Sequence, residues 1–238
     1  MTEETVIFFS ILSFAYFTQT VTGFGSNMIT LTFGGLFFSA DYMLPIILSQ
    51  NIFFTGYLVF GYTSSIDLQV LKKLTFPSFL IAFPVGVIGS IYFSAGFLIY
   101  AFAALVIFVS SYGLFTMKKK GQKDAHQVWP YLAAFSHGMF AAGGPFLVYY
   151  AARLNLDKLV FRTQLSIVWL TLNATLLVVL FFRGNLTMAT SKLALWLAPA
   201  MLLGLFVGEI LQKRLSPQRF LQIVYVLMLF SGLAMLVK

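Results

Sequence analysis

Thr18-Gln19-Thr20-Val21-Thr22-Gly23-Phe24-Gly25-Ser26-Asn27 interrupts an apolar, charge-free stretch near the start of the chain. Ser136-His137-Gly138-Met139-Phe140-Ala141-Ala142-Gly143-Gly144-Pro145 interrupts another in the later half. Both are runs of small and polar residues where the flanking sequence reads as membrane helix. Glycine permits a tight turn and a close backbone approach. Pro145 suits the first turn of a helix, where its missing N–H is no loss. Each break therefore predicts that one helix stops and another starts inside the apolar layer.

The rest of the chain fits that setting. Its 238 residues are 60% hydrophobic and only 9% charged, with a mean hydropathy of +0.91. So little charge cannot wet the surface of a soluble domain, and so much apolar residue excludes disorder. Thr5–Ala40, Tyr42–Ile66, Leu74–Met117 and Ala125–Ala152 contain no Asp, Glu, Lys or Arg. A membrane helix needs about 20 apolar residues. The runs lack the alternation of a β-barrel, so helices remain. The start, Met1-Thr2-Glu3-Glu4, is acidic where a signal peptide is basic, and the first apolar stretch is expected to be retained. With 0 cysteines, disulfides, thiolate metal sites and cysteine catalysis are excluded.

Expected elements are Val6–Val21, Asn27–Ser39, Tyr42–Tyr62, Leu74–Phe93 and Phe97–Met117, then Trp129–Ala141, Pro145–Leu154, Leu159–Phe182, Ser191–Gln212 and Gln218–Val237. The order of element types repeats. Leu48-Ser49-Gln50-Asn51 finds a counterpart in Arg162-Thr163-Gln164-Leu165. Pro84, Gly86 and Gly89 in one half match Pro199, Gly204 and Gly208 in the other. Residues 1–117 form the first repeat, 118–128 a basic linker and 129–238 the second repeat of a single integral membrane domain.

The basic residues orient the chain. If each break turns the chain back into a hairpin, 12 of the 15 Lys and Arg fall on one side, leaving Arg183, Lys192 and Lys238 on the other. If the chain runs straight through each break, the split is 9 to 6. The hairpin arrangement is favoured. It places the Lys118–Lys123 loop in the cytoplasm and both termini outside. Each half then crosses an odd number of times, so the halves are expected to be inverted repeats. The predicted fold is an all-α polytopic membrane protein of about 8 transmembrane helices. The formal charge of +8 thus records orientation in the bilayer and gives no reason to expect nucleic acid.

The arms after the breaks are short, about 15–20 Å at 1.5 Å per residue, so they begin at membrane depth. Irregular backbone there must be buried in protein or line a cavity. Two helix N-termini opposed near the midplane make an anion site, with Thr22, Ser26, Asn27, Ser136 and His137 as further donors. The alternative is that the glycines only let helices pack closely. Gln50 and Gln164 join the site by their matched positions. Asn51 and Asn173 are equally polar at membrane depth, and inter-helix hydrogen bonding accounts for all four as well as substrate contact does.

Gly143-Gly144-Pro145, Phe161-Arg162-Thr163 and Gly23-Phe24-Gly25-Ser26 resemble the TauE/SafE sulfite exporter family, as does the layout of two halves joined by a basic loop. The resemblance covers nearly the whole chain. It implies a multi-pass carrier of the inner (plasma) membrane for small anions, often sulfite or organosulfonates. Ser26 and Asn27 stand where that family commonly has further glycines, so side-chain donors replace bare backbone.

The expected function is a secondary transporter, an exporter by resemblance, working by alternating access. Its substrate-binding residues are Gly23, Gly25, Ser26, Asn27, Gln50, His137, Gly143, Gly144 and Gln164. His137 and Glu209 are candidates for proton coupling; a packing hydrogen bond for His137 and an i,i+4 pair of Glu209 with Lys213 are the plainer readings. Arg162 reads as a snorkelling anchor, and Asp41 and Asp67 as loop residues. No catalytic motif, metal set or cofactor site is visible. The partners are a small anion and the lipid bilayer, and a homodimer is compatible with the sequence. An anion channel and a non-transporting membrane scaffold or assembly protein are the rival readings. An intramembrane enzyme is disfavoured because the spans lack paired acids.

Overall fold

A computed structural model describes residues 3–92, 95–116 and 126–236 of the protein. The Lys118–Lys123 run lies outside the described residues. Every regular element among the described residues is helical. Six helical segments are long and apolar enough to cross a membrane: Glu3–Thr22, Ala40–Gly61, Leu68–Tyr92, Lys158–Phe182, Met188–Arg214 and Gln218–Leu236. The expected all-α, multi-pass membrane protein is what the chain forms.

In the first half, α1 (Glu3–Thr22) meets the first break and α2 (Ser26–Gly34) leaves it. There follow α3 (Ala40–Gly61), α4 (Leu68–Thr75), α5 (Ser78–Tyr92) and α6 (Ala95–Thr116). In the second half, α7 (Val128–Phe140) and α8 (Gly144–Ala152) flank the second break. Then come α9 (Lys158–Phe182), α10 (Met188–Trp196), α11 (Ala198–Arg214) and α12 (Pro217–Leu236). Three expected elements differ, the first being Leu74–Phe93, where α4 ends at Thr75 and α5 begins only at Ser78. The arm from Asn27 stops at Gly34 rather than Ser39. The expected Ser191–Gln212 helix is two, because Pro199 sits in the first turn of α11 and cannot continue the bonding of α10. Nor are Asp41 and Asp67 simple loop residues. Asp41 lies in the first turn of α3, where a negative charge meets the helix dipole. Asp67 caps α4, accepting from the amides of Gln69 at 2.8 Å and Val70 at 3.1 Å.

The chain divides into two compact units, and each takes helices from both sequence halves. The first comprises residues 1–64 and 165–215. Within it the chain does turn back at the glycine break. Gly34, at the end of α2, lies against Met43 and beside Phe8 near the start of α1, and the Phe8 and Phe38 rings are 5.0 Å apart. α3 then runs alongside α1, where the Tyr16 hydroxyl donates to the Ile47 carbonyl at 3.1 Å. α11 lies directly on α1. A Cβ on Gly204 would stand 2.6 Å from the Phe17 nitrogen, and one on Gly208 would stand 2.5 Å from the Thr20 Cβ. Small residues four apart give two backbones room to approach where lipid supplies no hydrophobic drive between helices.

The second unit comprises residues 65–164 and 216–238. Here α5 lies on α7. Gly86 faces the Phe135 carbonyl and Gly138 faces the Phe83 carbonyl. α6 and α12 run antiparallel, with Gly113 against the Tyr225 ring and Gly232 against Ile107. α8 folds back on α7, where Trp129 meets Tyr149 at 4.8 Å and Gln127 donates to the Tyr150 hydroxyl at 2.9 Å.

The close approach of α11 to α1 predicts a contrast between two glycines. Gly208→Leu must push α11 off α1 and is expected to destabilise the protein by about 2 kcal/mol or more, as overpacking does. Gly56→Ala, where a Cβ meets nothing within 4 Å, is expected to be neutral or stabilising by up to about 1 kcal/mol. Unfolding in a denaturing detergent series measures both. Equal effects at the two positions would show that the α1–α11 approach is not limiting.

Candidate functional site

The first break lies wholly in the first unit. Gly23 and Gly25 adopt φ of 83° and 108°, a region costly for any residue with a Cβ, so the turn requires glycine. Helical bonding persists as far as Gly23, whose amide donates to the Gln19 carbonyl at 2.7 Å. The Gly23 carbonyl accepts from the Trp169 indole N–H of α9 at 2.8 Å. The Thr22 hydroxyl lies 2.8 Å from the Thr18 carbonyl and 2.9 Å from the Phe24 carbonyl. Thr22 thus spends its proton on backbone rather than offering it to a ligand. α2 then starts at Ser26, and no side chain caps its first turn.

Around that uncapped end stands a buried cluster of carboxamides. Asn27 Nδ2 donates to Asn173 Oδ1 at 3.0 Å, and Asn173 Nδ2 donates to Asn51 Oδ1 at 2.8 Å. Asn51 Nδ2 donates to Ser26 Oγ at 2.7 Å and to Gln19 Oε1 at 2.9 Å. All five side chains are buried. Each amide carries two N–H donors and an oxygen acceptor, and the bonds within the cluster use both N–H groups of Asn51, on Ser26 Oγ and Gln19 Oε1. It holds no formal charge. Its donors and the positive end of α2 are therefore not neutralised by a fixed carboxylate.

The second break lies in the second unit and is built differently. The left-handed residue is Ala141, with φ of 54°, while Gly143 has φ of −74°. Of the tight turn and the close approach that glycine permits, Gly143 takes the second. Its missing Cβ serves close packing, for a Cβ there would press on the Ala133 carbonyl and stand 2.9 Å from the His137 Cβ. Gly144 opens α8, Pro145 lies in its first turn, and again no side chain caps it. The Ser136 hydroxyl donates to the Leu132 carbonyl, so this expected donor is bound within its own helix. His137 is 2% exposed, and its ring centroid lies 6.4 Å from that of Phe83.

The matched glutamines behave alike, each in its own unit, and neither lies in the amide cluster. Gln50 Nε2 donates to the Ala194 carbonyl at 2.9 Å, and Gln164 Nε2 donates to the Asp67 carbonyl at 3.0 Å. Both Oε1 atoms are buried without a hydrogen-bond partner among the described residues. Arg162 corrects the snorkelling expectation. It is 2% exposed and the one buried Lys, Arg, Asp or Glu among the described residues. Glu209 accepts from the Tyr62 hydroxyl at 3.1 Å. Among the described residues no three His, Cys, Asp or Glu gather as a metal site.

Asn51 and Asn173 were expected at membrane depth but not counted in the site, and the parts played by Gln19 and Trp169 were missed. Gln19 lies one turn before Gly23 in the same polar run, which is a usable signal. Nothing in the sequence points to Trp169, which comes from α9.

Apolar helices long enough to span, broken by irregular backbone and carrying buried polar groups, define a polytopic membrane protein. The profile of the family described as Sulfite exporter TauE/SafE matches residues 8–235, and the chain belongs to that family. Neither curated proteins nor solved structures yield a match. The family consists of transporters rather than enzymes, and membership implies a small anionic substrate and a bilayer setting.

The amide cluster predicts an unequal response to neighbouring substitutions. Asn173→Ala leaves the Asn27 donor and the Asn51 acceptor without their buried partner and is expected to cost about 1–3 kcal/mol. Gln50→Leu removes a single inter-helix bond and is expected to cost about 0.6 kcal/mol. Detergent-induced unfolding of the two variants ranks them. A larger loss for Gln50→Leu would contradict the cluster's structural weight.

Proposed function

We propose that the protein is a secondary transporter of a small oxyanion, sulfite or an organosulfonate, working in the inner membrane as two inverted repeats by alternating access. The observation that carries this reading is the uncharged amide cluster around the uncapped start of α2. A helix N-terminus attracts an anion through its N–H groups and dipole. Asn27, Asn51 and Ser26 are placed to supply side-chain donors beside it by exchanging their present partners for the anion. A tetrahedral or pyramidal oxyanion asks for several donors at once, and no fixed carboxylate competes. In the second unit, the uncapped start of α8 with His137 nearby offers a similar end, and Arg162 contributes a full buried charge. We read His137, the titratable group beside a break, as the proton-coupling group ahead of Glu209, which lies between α3 and α11.

The packing of Gly204 and Gly208 on α1 and of Gly86 on α7 supports the inverted-repeat reading, since each broken helix pair closes on a later helix of the other half. So does the like bonding of Gln50 and Gln164 to backbone carbonyls.

The test is uptake into proteoliposomes with sulfite, sulfate, thiosulfate, organosulfonates and short carboxylates. We expect one sulfur oxyanion to move. Asn27→Ala and Asn51→Ala are expected to raise its KM about tenfold or more, the worth of a hydrogen bond to a charged group. Arg162→Gln is expected to lower transport more than Arg162→Lys. Failure of every anion to move or bind would overturn the reading. For orientation, single cysteines at Lys120 and Gly184 of this cysteine-free chain are expected to label from opposite faces. Labelling of both from outside would contradict the hairpin topology.

A further inference from the structure

The first unit holds a second feature, lined by none of the residues of the amide cluster. Between α3 and α11 lies an open groove of about 880 Å³. Its floor includes the buried Phe54, Met201 and Leu205. Its walls are apolar and exposed: Phe53 is 74% exposed and Phe206 68%, with Tyr57 and Leu202 beside them. Leu202, Phe206 and Ile210 recur every four residues on α11, as Phe53 and Tyr57 do on α3, so each helix presents one stripe to the groove.

One end of the groove is different in kind. Lys213 and Arg214, both exposed, stand in the last turn of α11. Glu209 lies one turn earlier and accepts from Tyr62 at the end of α3. Two cations thus face one carboxylate that already has a donor. From Leu202 to Arg214 the α11 stripe extends about 18 Å at 1.5 Å per residue. One leaflet of hydrocarbon is about 15 Å deep. The groove therefore has the length of an acyl chain, with positive charge where a headgroup would lie.

We propose that this groove binds one phospholipid with an anionic headgroup. Lys213 and Arg214 hold its phosphate, and one acyl chain lies between α3 and α11 against Phe206 and Phe53. Basic pockets between membrane helices hold anionic headgroups by this combination. A second copy of the chain fits less well. The basic end asks for an anion, and the whole sequence has only 7 Asp and Glu. The inference rests on the membrane setting and not on transport, so uptake and lipid binding succeed or fail separately.

The test is native mass spectrometry of the full chain in detergent with phosphatidylglycerol and phosphatidylcholine added in equal amounts. We expect phosphatidylglycerol to be retained about tenfold or more over phosphatidylcholine, given the attraction of each basic residue for anionic lipid. Lys213→Gln with Arg214→Gln is expected to abolish that preference. Phe206→Ala is expected to weaken retention of both lipids, and Arg183→Gln with Lys192→Gln to change nothing. Equal retention of the two lipids, or a preference that survives the Lys213 and Arg214 changes, would overturn the proposal. So would rapid disulfide dimerisation of Phe206→Cys accompanied by exclusion of phosphatidylglycerol, which would assign the groove to a second copy.

Discussion

In a bilayer every backbone N–H and C=O must find a partner within the protein, because lipid offers none. The first break is where that demand is sharpest. Helical bonding ends at Gly23 and resumes at Ser26, and groups left between them are met by side chains of α9 and of the end of α1. The Trp169 indole of α9 bonds the Gly23 carbonyl, and the Thr22 hydroxyl spans the end of α1. Gln19, Ser26, Asn27, Asn51 and Asn173 then tie α1, α2, α3 and α9 together at that level of the first unit. The same irregular backbone that needs this support leaves the first turn of α2 without a side-chain cap. Structural necessity and the candidate site are thus one arrangement.

Close packing of small residues answers the second demand, which is to hold apolar helices together without a hydrophobic drive. Gly204 and Gly208 bring α11 onto α1, and Gly86 and Gly138 bring α5 and α7 together. In each unit the pair comes from opposite halves of the sequence. Neither half holds its own opening helix in this way, so each compact unit draws on both halves of the sequence.

Several features could be read from sequence because they are local. A glycine-rich polar run is costly inside apolar sequence unless the helix breaks there, and both breaks lie where those runs fall. Element positions follow from charge-free runs, although Asp67, expected in a loop, and Pro199, expected inside one long helix, both turn out to stand at helix starts. Other features could not be read. Gln50 and Asn51 are adjacent and equally polar, yet they point about 100° apart on a helix. Asn51 enters the cluster and Gln50 bonds the Ala194 carbonyl. Glycine permits both a turn and a close approach, and only the structure assigns the left-handed turn to Ala141 and the clearance to Gly143. Arg162 has a stem long enough to snorkel, and only the surrounding packing decides that it is buried.

The sequence alone determined that this is a helical membrane protein, where its spans fall, and that two polar breaks interrupt them. It did so because charge, hydrophobicity and glycine act on their own segment whatever surrounds it. The tertiary structure decided which helices pair across the halves, which of two neighbouring amides meets the break, and which cation is buried. Those outcomes depend on how each helix is rotated against its neighbours. That rotation is set by contacts between residues far apart in the chain, such as Asn27 with Asn173 and Gly208 with Thr20.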